Sequence, residues 1–429
     1  MADLSSVKRI AVIGSGIMGS GIMEAILLKG FDKAVLHDAD SGALEKGREA
    51  IERMIRMVGD EDRFAQFVSS YTGMNAQPSR DFDALRKDPK IVGMFADGAT
   101  ADDVLDRLVC EEDLEKAVSD VDFVIEAVTE VLEVKQDVFA KLSELTPAHT
   151  VCASNTSTLP VTKIALKSKR PENAIGMHFH GFTQIANRLV EIMGGEKTAE
   201  DAMELGRLVG ASLPSLGGER LAVRLDREAE GFIANRIAAP ASIYGSWFMD
   251  KATEEGISLE QLHAAGRNMI GTDIVGLDTA YNAGISYQQN LSPDFGPTKA
   301  IAELVKQGHL GRKTGRGIYE WDESGNPVIK EVEVEEKTKA FVEKYSDPEV
   351  AMAARLNEAC RLIEMGVVKG CSVITEVERI GESHEGIFIL GADRYGEWAE
   401  KLEEVAEKIG KPYLKPCEMM KSGTFKDHP

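Results

Sequence analysis

Cysteine is scarce in this sequence of 429 residues, and the few cysteines that occur are scattered. There are five of them, an odd number, and no two form a Cys-x-x-Cys pair. Neither a disulfide framework nor a zinc site is therefore indicated, and a reducing compartment fits this usage. Of the eight histidines only His178 and His180 lie close together, and two residues on one strand face rarely bind a metal without further ligands. We predict no metal site.

Positive charge is also in deficit. The chain has 50 lysines and arginines against 71 aspartates and glutamates, which gives a formal net charge of −21. The mean surface therefore repels phosphate backbones and anionic lipid, so nucleic acid and membranes are poor candidates as partners. This charge does not exclude a nucleotide, because the N–H groups at a helix N-terminus bind phosphate locally.

Long apolar runs are absent as well. No run reaches the roughly 18 residues needed to span a bilayer, and the first residues show no apolar segment behind a basic head. We therefore expect a cytoplasmic protein. A content of 43% hydrophobic and 28% charged residues is typical of soluble globular proteins. At about 150 residues per domain, the length corresponds to about three domains.

The first part of the chain alternates between strand and helix patterns. Residues 8–38 predict a strand, a tight turn at Gly14, a helix that ends at Gly30, and a second strand. Four further short apolar runs follow, with helical patterns between them: 123–125, 151–153, 175–177 and 189–190. This alternation predicts an α/β domain of Rossmann type, with a mostly parallel sheet, over residues 1–220. The mixed, charged stretch at about 57–110 is predicted to be a helical excursion from that domain.

The rest of the chain shows helical patterns that repeat. A gapless shift of 115 places superposes residues typical of turns and helix ends: Gly266 on Gly381, Gly271 on Gly386, Gly276 on Gly391, Asp278 on Asp393, Pro297 on Pro412, Lys306 on Lys421 and Gly308 on Gly423. So many matches at one offset indicate a tandem repeat rather than coincidence among common helix residues. We predict two all-α C-terminal domains, 221–330 and 331–429, of which the second is structural and packs on the first.

A Gly-x-Gly-x-x-Gly motif lies between the first predicted strand and helix, formed by Gly14, Gly16, Ile17, Met18 and Gly19 with Ser15. The first glycine permits the tight turn, the second lets the backbone approach a pyrophosphate, and the third lets the helix pack on the sheet. Such a motif carries little weight unless strand and helix flank it, as they do here. An α/β domain without a nucleotide is the alternative.

An acidic residue, Asp38, ends the second predicted strand. A carboxylate at that position accepts hydrogen bonds from the ribose hydroxyls and repels a 2′-phosphate. No lysine or arginine occupies 39–41. The cofactor predicted from these residues is therefore NAD rather than NADP.

Polar residues also follow the later strands. Asn155 and Ser157 leave the strand at 151–153, where they can meet a ligand, although a loop or helix cap is the commoner role. We predict that Asn155 contacts the cofactor. His178 and Glu191 end the next two apolar runs. An imidazole can take a hydroxyl proton near neutral pH, and a carboxylate can fix its tautomer. Taken without context, His178 is more often a buried core histidine than a catalytic base.

Taken together, these segments resemble the 3-hydroxyacyl-CoA dehydrogenase family along almost the whole chain. The matching motifs occur in the family's order: 12–19, 124–130, 154–157, 176–179, 189–191, 231–236 and 310–317. The resemblance implies NAD-dependent oxidation of (S)-3-hydroxyacyl-CoA to 3-oxoacyl-CoA. The tandem helical repeat is similar to the arrangement in fatty-acid β-oxidation multienzymes, although no hydratase portion is present.

The resemblance also implies roles for individual residues. His178 would be the general base and Glu191 its partner, while Ser157 and Asn235 would position the C3 oxygen of the substrate. A further pair, Glu130 and Lys135, would line the nicotinamide side of the cofactor site. Taken by itself, Asn235 would ordinarily be a solvated helix residue.

The chain departs from the family beside the predicted base. It has His180-Gly181-Phe182 where the family usually has Phe-Asn-Pro, and the spacing from His178 to Glu191 is one residue longer than usual. The pocket there is therefore altered, and two alternatives stay open: a dehydrogenase of a free or cyclic 3-hydroxy acid, and a non-catalytic NAD(H)-binding sensor or structural protein. The association state is predicted to be a homodimer or a monomer with an internal pseudo-dimer of helical domains.

Overall fold

The computed structural model describes residues 2–60, 63, 100–181, 185–215, 219–382 and 385–429. The chain divides into two compact units: Met1–Ala234 with Gly366–Gly386, and Asn235–Met365 with Ile387–Pro429. Within the described residues no helix combines the length and the apolar character that a membrane crossing requires.

An eight-stranded sheet is the centre of the first unit. Its strands are β1 (Arg9–Ile13), β2 (Lys33–His37), β3 (Leu108–Glu111), β4 (Phe123–Glu126), β5 (Val151–Ser154), β6 (Ala174–Phe179), β7 (Leu189–Gly194) and β8 (Leu221–Arg224). They lie in the order β3-β2-β1-β4-β5-β6-β7-β8, and all neighbours are parallel except β6 and β7. The mostly parallel sheet confirms the predicted α/β fold. The strand order reverses between β1 and β4, so the turns after them meet at the carboxyl edge of the sheet.

Helices cover both faces of this sheet: α1 (Ile17–Lys29), α2 (Ser41–Val58), α3 (Ala101–Leu105), α4 (Leu114–Val118), α5 (Leu132–Leu145), α6 (Val161–Ile164) and α7 (Glu200–Ser212). A helix from much later in the chain, α16 (Cys371–Val377), contacts the edge strand β8. In β1, Ile10 and Val12 belong to the core on one face, whereas Ala11 and Ile13 belong to the core on the other. Burial on both sides explains why the central strands are continuous apolar runs. As predicted, α1 ends at Gly30, whose φ of +84° is left-handed.

Two edge strands, β3 and β8, were not predicted from the sequence. Both correct the secondary structure and the domain boundary that the sequence led us to expect. Strand β3 falls within the stretch at 57–110 that was expected to be a helical excursion, and strand β8 lies just beyond the boundary expected at 220. Most residues of both strands are only half-buried, so neither shows a continuous apolar run. The rest of the expected excursion, from 61 to 99 apart from 63, lies outside the described residues.

The segment Gly366–Gly386 joins the sheet unit although the sequence places it in the second helical copy. Its helix α16 contacts the edge strand β8, and the N–H of Asp226 donates to the Val367 carbonyl oxygen at 2.8 Å. A helix at this position covers a sheet edge that would otherwise expose unpaired N–H and C=O groups. The helical domain expected over 331–429 is therefore divided between the two units.

The second unit is mainly helical. Helix α8 (Ala234–Ala238) begins at the last residue of the first unit, and the other helices are α9 (Ala241–Glu254), α10 (Leu259–Ala264), α11 (Ile270–Val275), α12 (Leu277–Asn290), α13 (Lys299–Lys306), α14 (Glu336–Tyr345), α15 (Pro348–Glu364), α17 (Ile387–Gly391), α18 (Tyr395–Ile409) and α19 (Glu418–Ser422). A π-helix, Glu378–Glu382, follows α16 in the first unit, and a two-stranded hairpin, β9 (Glu320–Trp321) and β10 (Pro327–Val328), lies in the second.

The helices recur in the order that the sequence repeat predicts. Shifted by 115 places, α9 to α13 overlap α15 to α19 one by one. The last helix of each copy ends at a left-handed glycine, Gly308 with φ +77° and Gly423 with φ +73°. Within the second unit α15 packs on α9. The repeat seen in the sequence is therefore a repeat of helices, while the other matched glycines differ in backbone conformation between the copies.

A buried carboxylic acid in α1 leads to a prediction about stability. Glu24 is 5% exposed, and burial raises its pKa to about 8. Between pH 4.5 and 8 the unfolded chain ionises at this position while the folded chain keeps the proton, so the free energy of unfolding falls as pH rises. We expect Glu24→Gln to stabilise the protein at pH 8 by about 4 kcal/mol, from 1.36 kcal/mol per pKa unit. Urea unfolding at pH 5 and pH 8 measures this, with the exposed Glu112→Gln as control; equal effects of the two substitutions at both pH values would contradict it.

Candidate active site

The three glycines of the loop after β1 have different surroundings. A Cβ at Gly14, whose φ is +101°, would lie 2.6 Å from the Ala127 carbonyl oxygen, and a Cβ at Gly19 would lie 1.8 Å from the Gly14 carbonyl oxygen. At Gly16 a Cβ would meet nothing within 4 Å. The loop therefore packs tightly against the residue after β4, whereas there is space around Gly16, next to the N-terminus of α1. This arrangement fits a pyrophosphate approaching the backbone there.

The two residues after Gly16 are oriented differently. Ile17 is 73% exposed, whereas Met18 is half-buried and packs against the core. Both begin α1, whose first N–H groups have no intrahelical partner and are available to an anionic group. Of these two predicted cofactor residues, Ile17 is therefore accessible to a ligand, while Met18 contributes to the packing of the helix.

Asp38 binds the glycine loop. Its Oδ2 accepts hydrogen bonds from the N–H and the hydroxyl of Ser15, both at 2.9 Å, and its Oδ1 accepts one from the Asp40 N–H at 3.0 Å. Partial burial raises the pKa of Asp38, but these hydrogen bonds outweigh it and the net shift is downward. The carboxylate at the end of β2 is therefore ionised, and it holds the loop while keeping lone pairs that a ribose hydroxyl can use.

A buried ionic network lies beneath the carboxyl edge between β4 and β5. The ammonium of Lys135 lies 2.7 Å from Glu126 Oε1 and 3.3 Å from Glu130 Oε2, and Ser154 donates to Glu126 Oε2 at 2.6 Å. Burial lowers the pKa of Lys135, but the two carboxylates outweigh it and raise it overall. The Lys135 side chain is 1% exposed and that of Glu130 is 27% exposed. Of the two residues expected near the nicotinamide, Glu130 therefore faces outward and Lys135 lies below it.

Glu130 also organises the loop after β5. Its Oε1 accepts hydrogen bonds from the Thr156 hydroxyl at 2.7 Å and from the N–H groups of Ser157 and Thr158 at 2.8 and 3.0 Å. Burial raises the pKa of Glu130, but Lys135 and these donors lower it overall. Among the described residues, no group bonds the hydroxyl of Ser157. That hydroxyl is therefore available to a ligand.

Asn155 connects the ends of two neighbouring strands. Its side-chain oxygen accepts a hydrogen bond from the Phe179 N–H at 3.0 Å, and its own N–H donates to the Glu126 carbonyl oxygen at 2.7 Å. It is buried, so here it braces the strand that carries His178. The cofactor contact expected of Asn155 stays a prediction.

His178 and Glu191 form a buried pair across β6 and β7. They are directly opposite in the antiparallel register, and His178 Nδ1 lies 2.8 Å from Glu191 Oε2. Their exposures are 4% and 0%. The carboxylate partner assigns the proton to Nδ1, which leaves Nε2 as the nitrogen that can accept a proton.

The other oxygen of Glu191 binds the segment that precedes α8. Oε1 accepts hydrogen bonds from the N–H groups of Ile233 and Ala234, at 2.8 and 3.0 Å. The ring of Phe232 stacks on His178, with centroids 5.0 Å apart and planes at 25°. The sequence interpretation assigned no role to Phe232 or Glu126, although both lie within motifs that carried the resemblance.

Two further features of the sequence prediction are the segment His180-Gly181-Phe182 and the residue Asn235. The ring of His180 lies 6.0 Å from that of His178 at 89°, and Gly181 has a φ of +81°, while Phe182 lies outside the described residues. Asn235 follows directly after Ala234 and is the first residue of the second unit, on α8. Its expected contact with the substrate stays a prediction.

Within the described residues, no three His, Cys, Asp or Glu side chains are grouped so that they could hold a metal ion.

Comparison with known proteins places these residues in context. Residues 9–213 match the model of the 3-hydroxyacyl-CoA dehydrogenase NAD binding domain, and residues 231–321 match that of the C-terminal domain. A probable 3-hydroxybutyryl-CoA dehydrogenase of Bacillus subtilis is 29% identical over 74% of this chain and 98% of its own length. A 3-hydroxybutyryl-CoA dehydrogenase of Bradyrhizobium diazoefficiens is 30% identical over 73% of this chain and 96% of its own length. The crystal structure of 3-hydroxybutyryl-CoA dehydrogenase from Escherichia coli K12 covers 98% of this chain and 99% of that one, with a TM-score of 0.69 at 22% identity, a likeness of fold.

Proposed function

The chain belongs to the 3-hydroxyacyl-CoA dehydrogenase family, and we propose that it oxidises (S)-3-hydroxyacyl-CoA to 3-oxoacyl-CoA with His178 as the general base. As a member of this family it is an NAD-dependent oxidoreductase. The observation that carries the proposal is the buried contact of 2.8 Å between His178 Nδ1 and Glu191 Oε2. This contact favours the tautomer with its proton on Nδ1, in which Nε2 carries the lone pair that can act as a base.

Each of these residues has its own role in the proposed reaction. His178 takes the proton of the 3-hydroxyl at Nε2, and the carboxylate of Glu191 stabilises the imidazolium that forms. NAD held at the glycine loop and Asp38 would supply the acceptor for the hydride of C3. Ser157 and Asn235 hold the C3 oxygen, a role that the family resemblance assigns to them. The unbonded hydroxyl of Ser157, on a loop held by Glu130, supports that assignment.

The loop geometry supports the cofactor residues that we propose. Gly14, Gly16 and Gly19 with the first turn of α1 bind the pyrophosphate, and Asp38 binds the ribose. Glu130 faces the nicotinamide side, while Lys135 acts through Glu130 because its own side chain is buried.

A substrate comparison tests the proposal. We expect turnover of 3-hydroxybutyryl-CoA with NAD, followed at the NADH absorbance band, to exceed that of free 3-hydroxybutyrate. The names of the relatives support this short acyl chain as the first substrate. Preference for the free acid would favour the dehydrogenase of a free or cyclic 3-hydroxy acid. NADH binding without turnover of either substrate would favour a non-catalytic NAD(H)-binding protein.

The ribose contact gives a prediction about cofactor choice. We expect Asp38→Ala to weaken NAD binding by about 10-fold and to narrow the preference for NAD over NADP, because a hydrogen-bond acceptor and a repulsive charge disappear together. KM for both cofactors measures this. Asp32→Ala removes the same charge just before β2, at the opposite end of that strand, and is the control. A wild-type protein that prefers NADP would contradict the argument.

The association state is also part of the proposal. The packing of α15 on α9, one helix from each copy, supports a monomer in which the second copy takes the place of a partner chain. Light scattering at several concentrations tests this, since a concentration-independent dimer mass would favour the homodimer instead. The cytoplasmic location stays a prediction.

A further inference from the structure

The backbone of Phe232 is unusual. Its φ is +57°, and it is the single non-glycine residue with a left-handed φ in the part of the chain that the structure describes. A β-carbon disfavours this conformation, so it persists only where the surroundings hold it. Strain of this kind occurs preferentially at functional sites.

The surroundings that hold this conformation are the catalytic pair itself. Glu191 accepts hydrogen bonds from the two N–H groups after Phe232, while its other oxygen binds His178. The Phe232 N–H donates to the Ala229 carbonyl oxygen at 3.1 Å. One carboxylate therefore fixes both the imidazole and the backbone that presents the phenyl ring.

The Phe232 ring is closely surrounded by neighbouring residues. Phe232 is fully buried, and a Cβ at Gly176 would lie 3.0 Å from its Cζ. Gly176 and His178 are two residues apart on β6 and share a sheet face. The tip of the phenyl ring, Cζ and Cε1, therefore lies against the bare backbone of Gly176, and the ring stacks on the face of the His178 imidazole.

We propose that Phe232 is a positioning residue for the base: its stacked ring sets the plane of the His178 imidazole and excludes water from one face of it. This inference rests on the proposed function, since it assigns the base to His178. The side chain of Phe232 acts through His178 and does not need to touch the substrate. A small rotation of the imidazole would move Nε2 away from the 3-hydroxyl, and misplacement of a catalytic group lowers the rate steeply.

Two substitutions remove the stacking in different ways. Phe232→Leu removes the planar ring. Gly176→Ala keeps Phe232 and His178 in the chain but adds a Cβ 3.0 Å from the ring Cζ and 2.9 Å from Val161 Cγ2, so that the ring, Val161 or both must shift. We expect each to lower kcat about 10-fold, with the Kd for NADH within about 2-fold of wild type. Phe31→Leu makes the same chemical change at a buried position of the same unit, just before β2, and we expect kcat to stay at the wild-type value. Wild-type kcat in Phe232→Leu, or an equal loss in Phe31→Leu, would overturn the proposal.

Proton NMR provides a readout that does not depend on activity. With ring-labelled histidine, and the His178 signal assigned by its loss in His178→Ala, the imidazole protons of His178 should show an upfield ring-current shift. The shift should disappear in Phe232→Leu and persist in Phe31→Leu. Absence of the shift in the wild type would refute the stacking, even if Phe232→Leu does not fold. If the wild type shows the shift and yet turns over no acyl-CoA, the proposed function fails and not the geometry.

Discussion

Replacing His178 with alanine should lower kcat by about 10² to 10⁴-fold, the usual contribution of a positioned general base. The imidazole is buried and its Nδ1 is bound by Glu191, so the substitution removes a proton acceptor that this contact holds in place. The proposed NAD site is the glycine loop with Asp38, so the affinity for NAD should stay nearly unchanged. Steady-state kinetics with 3-hydroxybutyryl-CoA and fluorescence titration with NADH measure the two quantities separately.

Three further variants complete this test. His149→Ala removes an exposed histidine that contacts Asp122 and should leave kcat unchanged. Glu191→Gln should retain most of the geometry but lower kcat, because a neutral amide stabilises the imidazolium less than a carboxylate does. Near-normal turnover by His178→Ala would reject the assignment. A large loss in His180→Ala would then move the base to His180, whose ring is 6.0 Å away.

Replacing Glu358 with alanine should destabilise the second unit by about 3 to 5 kcal/mol. Glu358 is fully buried on α15, and its Oε1 lies 2.5 Å from Nε of Arg236, which is 2% exposed. Tyr413 donates to the same oxygen at 2.7 Å, and Arg361 binds Oε2 at 3.0 Å. Burial raises the pKa of Tyr413 above its ordinary value, so Tyr413 keeps its proton as a donor. Removing the carboxylate takes a counter-charge at 2.5 Å away from a buried guanidinium.

The midpoint of urea unfolding at pH 7 measures this loss. Glu254→Ala, which removes an exposed ion pair with Lys299, is the matched control and should change stability by less than about 1 kcal/mol. The double variant Arg236→Met with Glu358→Leu should recover part of the loss, because it also removes the buried guanidinium charge, while Tyr413 and Arg361 still lose their acceptor. Loss of under 1 kcal/mol in Glu358→Ala would show that the guanidinium is not dependent on this carboxylate.

This contact also bears on the role of the second helical copy. Arg236 follows Asn235 on α8, and Glu358 belongs to the copy that the sequence interpretation regarded as structural. A carboxylate of the second copy therefore anchors the helix that carries a predicted substrate residue. We expect the loss of stability in Glu358→Ala to be accompanied by a lower kcat. The reason is that Asn235 and Arg236 are neighbours on α8, so loosening Arg236 also loosens Asn235.

Several features of the site were predictable because they depend on local chemistry. The order strand, Gly-x-Gly-x-x-Gly, helix and Asp38 needs only the periodicity of side chains and the small size of glycine, and the structure has β1, α1 and β2 at those residues. His178 and Glu191 could be recognised as the polar ends of apolar runs. Their direct opposition at 2.8 Å required the antiparallel register of β6 and β7, which no local pattern specifies.

The sequence by itself thus determined the fold class, the cofactor loop, the helical repeat and the identity of the polar residues, since these follow from patterns within short segments. Only the tertiary structure decided which distant residues meet. Edge strands β3 and β8 lack a continuous apolar run, so their place in the sheet comes from pairing with a neighbour. Segment 366–386 joins the sheet unit because it covers an exposed edge, and Phe232 adopts a disfavoured φ because Glu191, 41 positions earlier, binds the backbone beside it. Such contacts depend on long-range packing, which outweighs local preference wherever the two disagree.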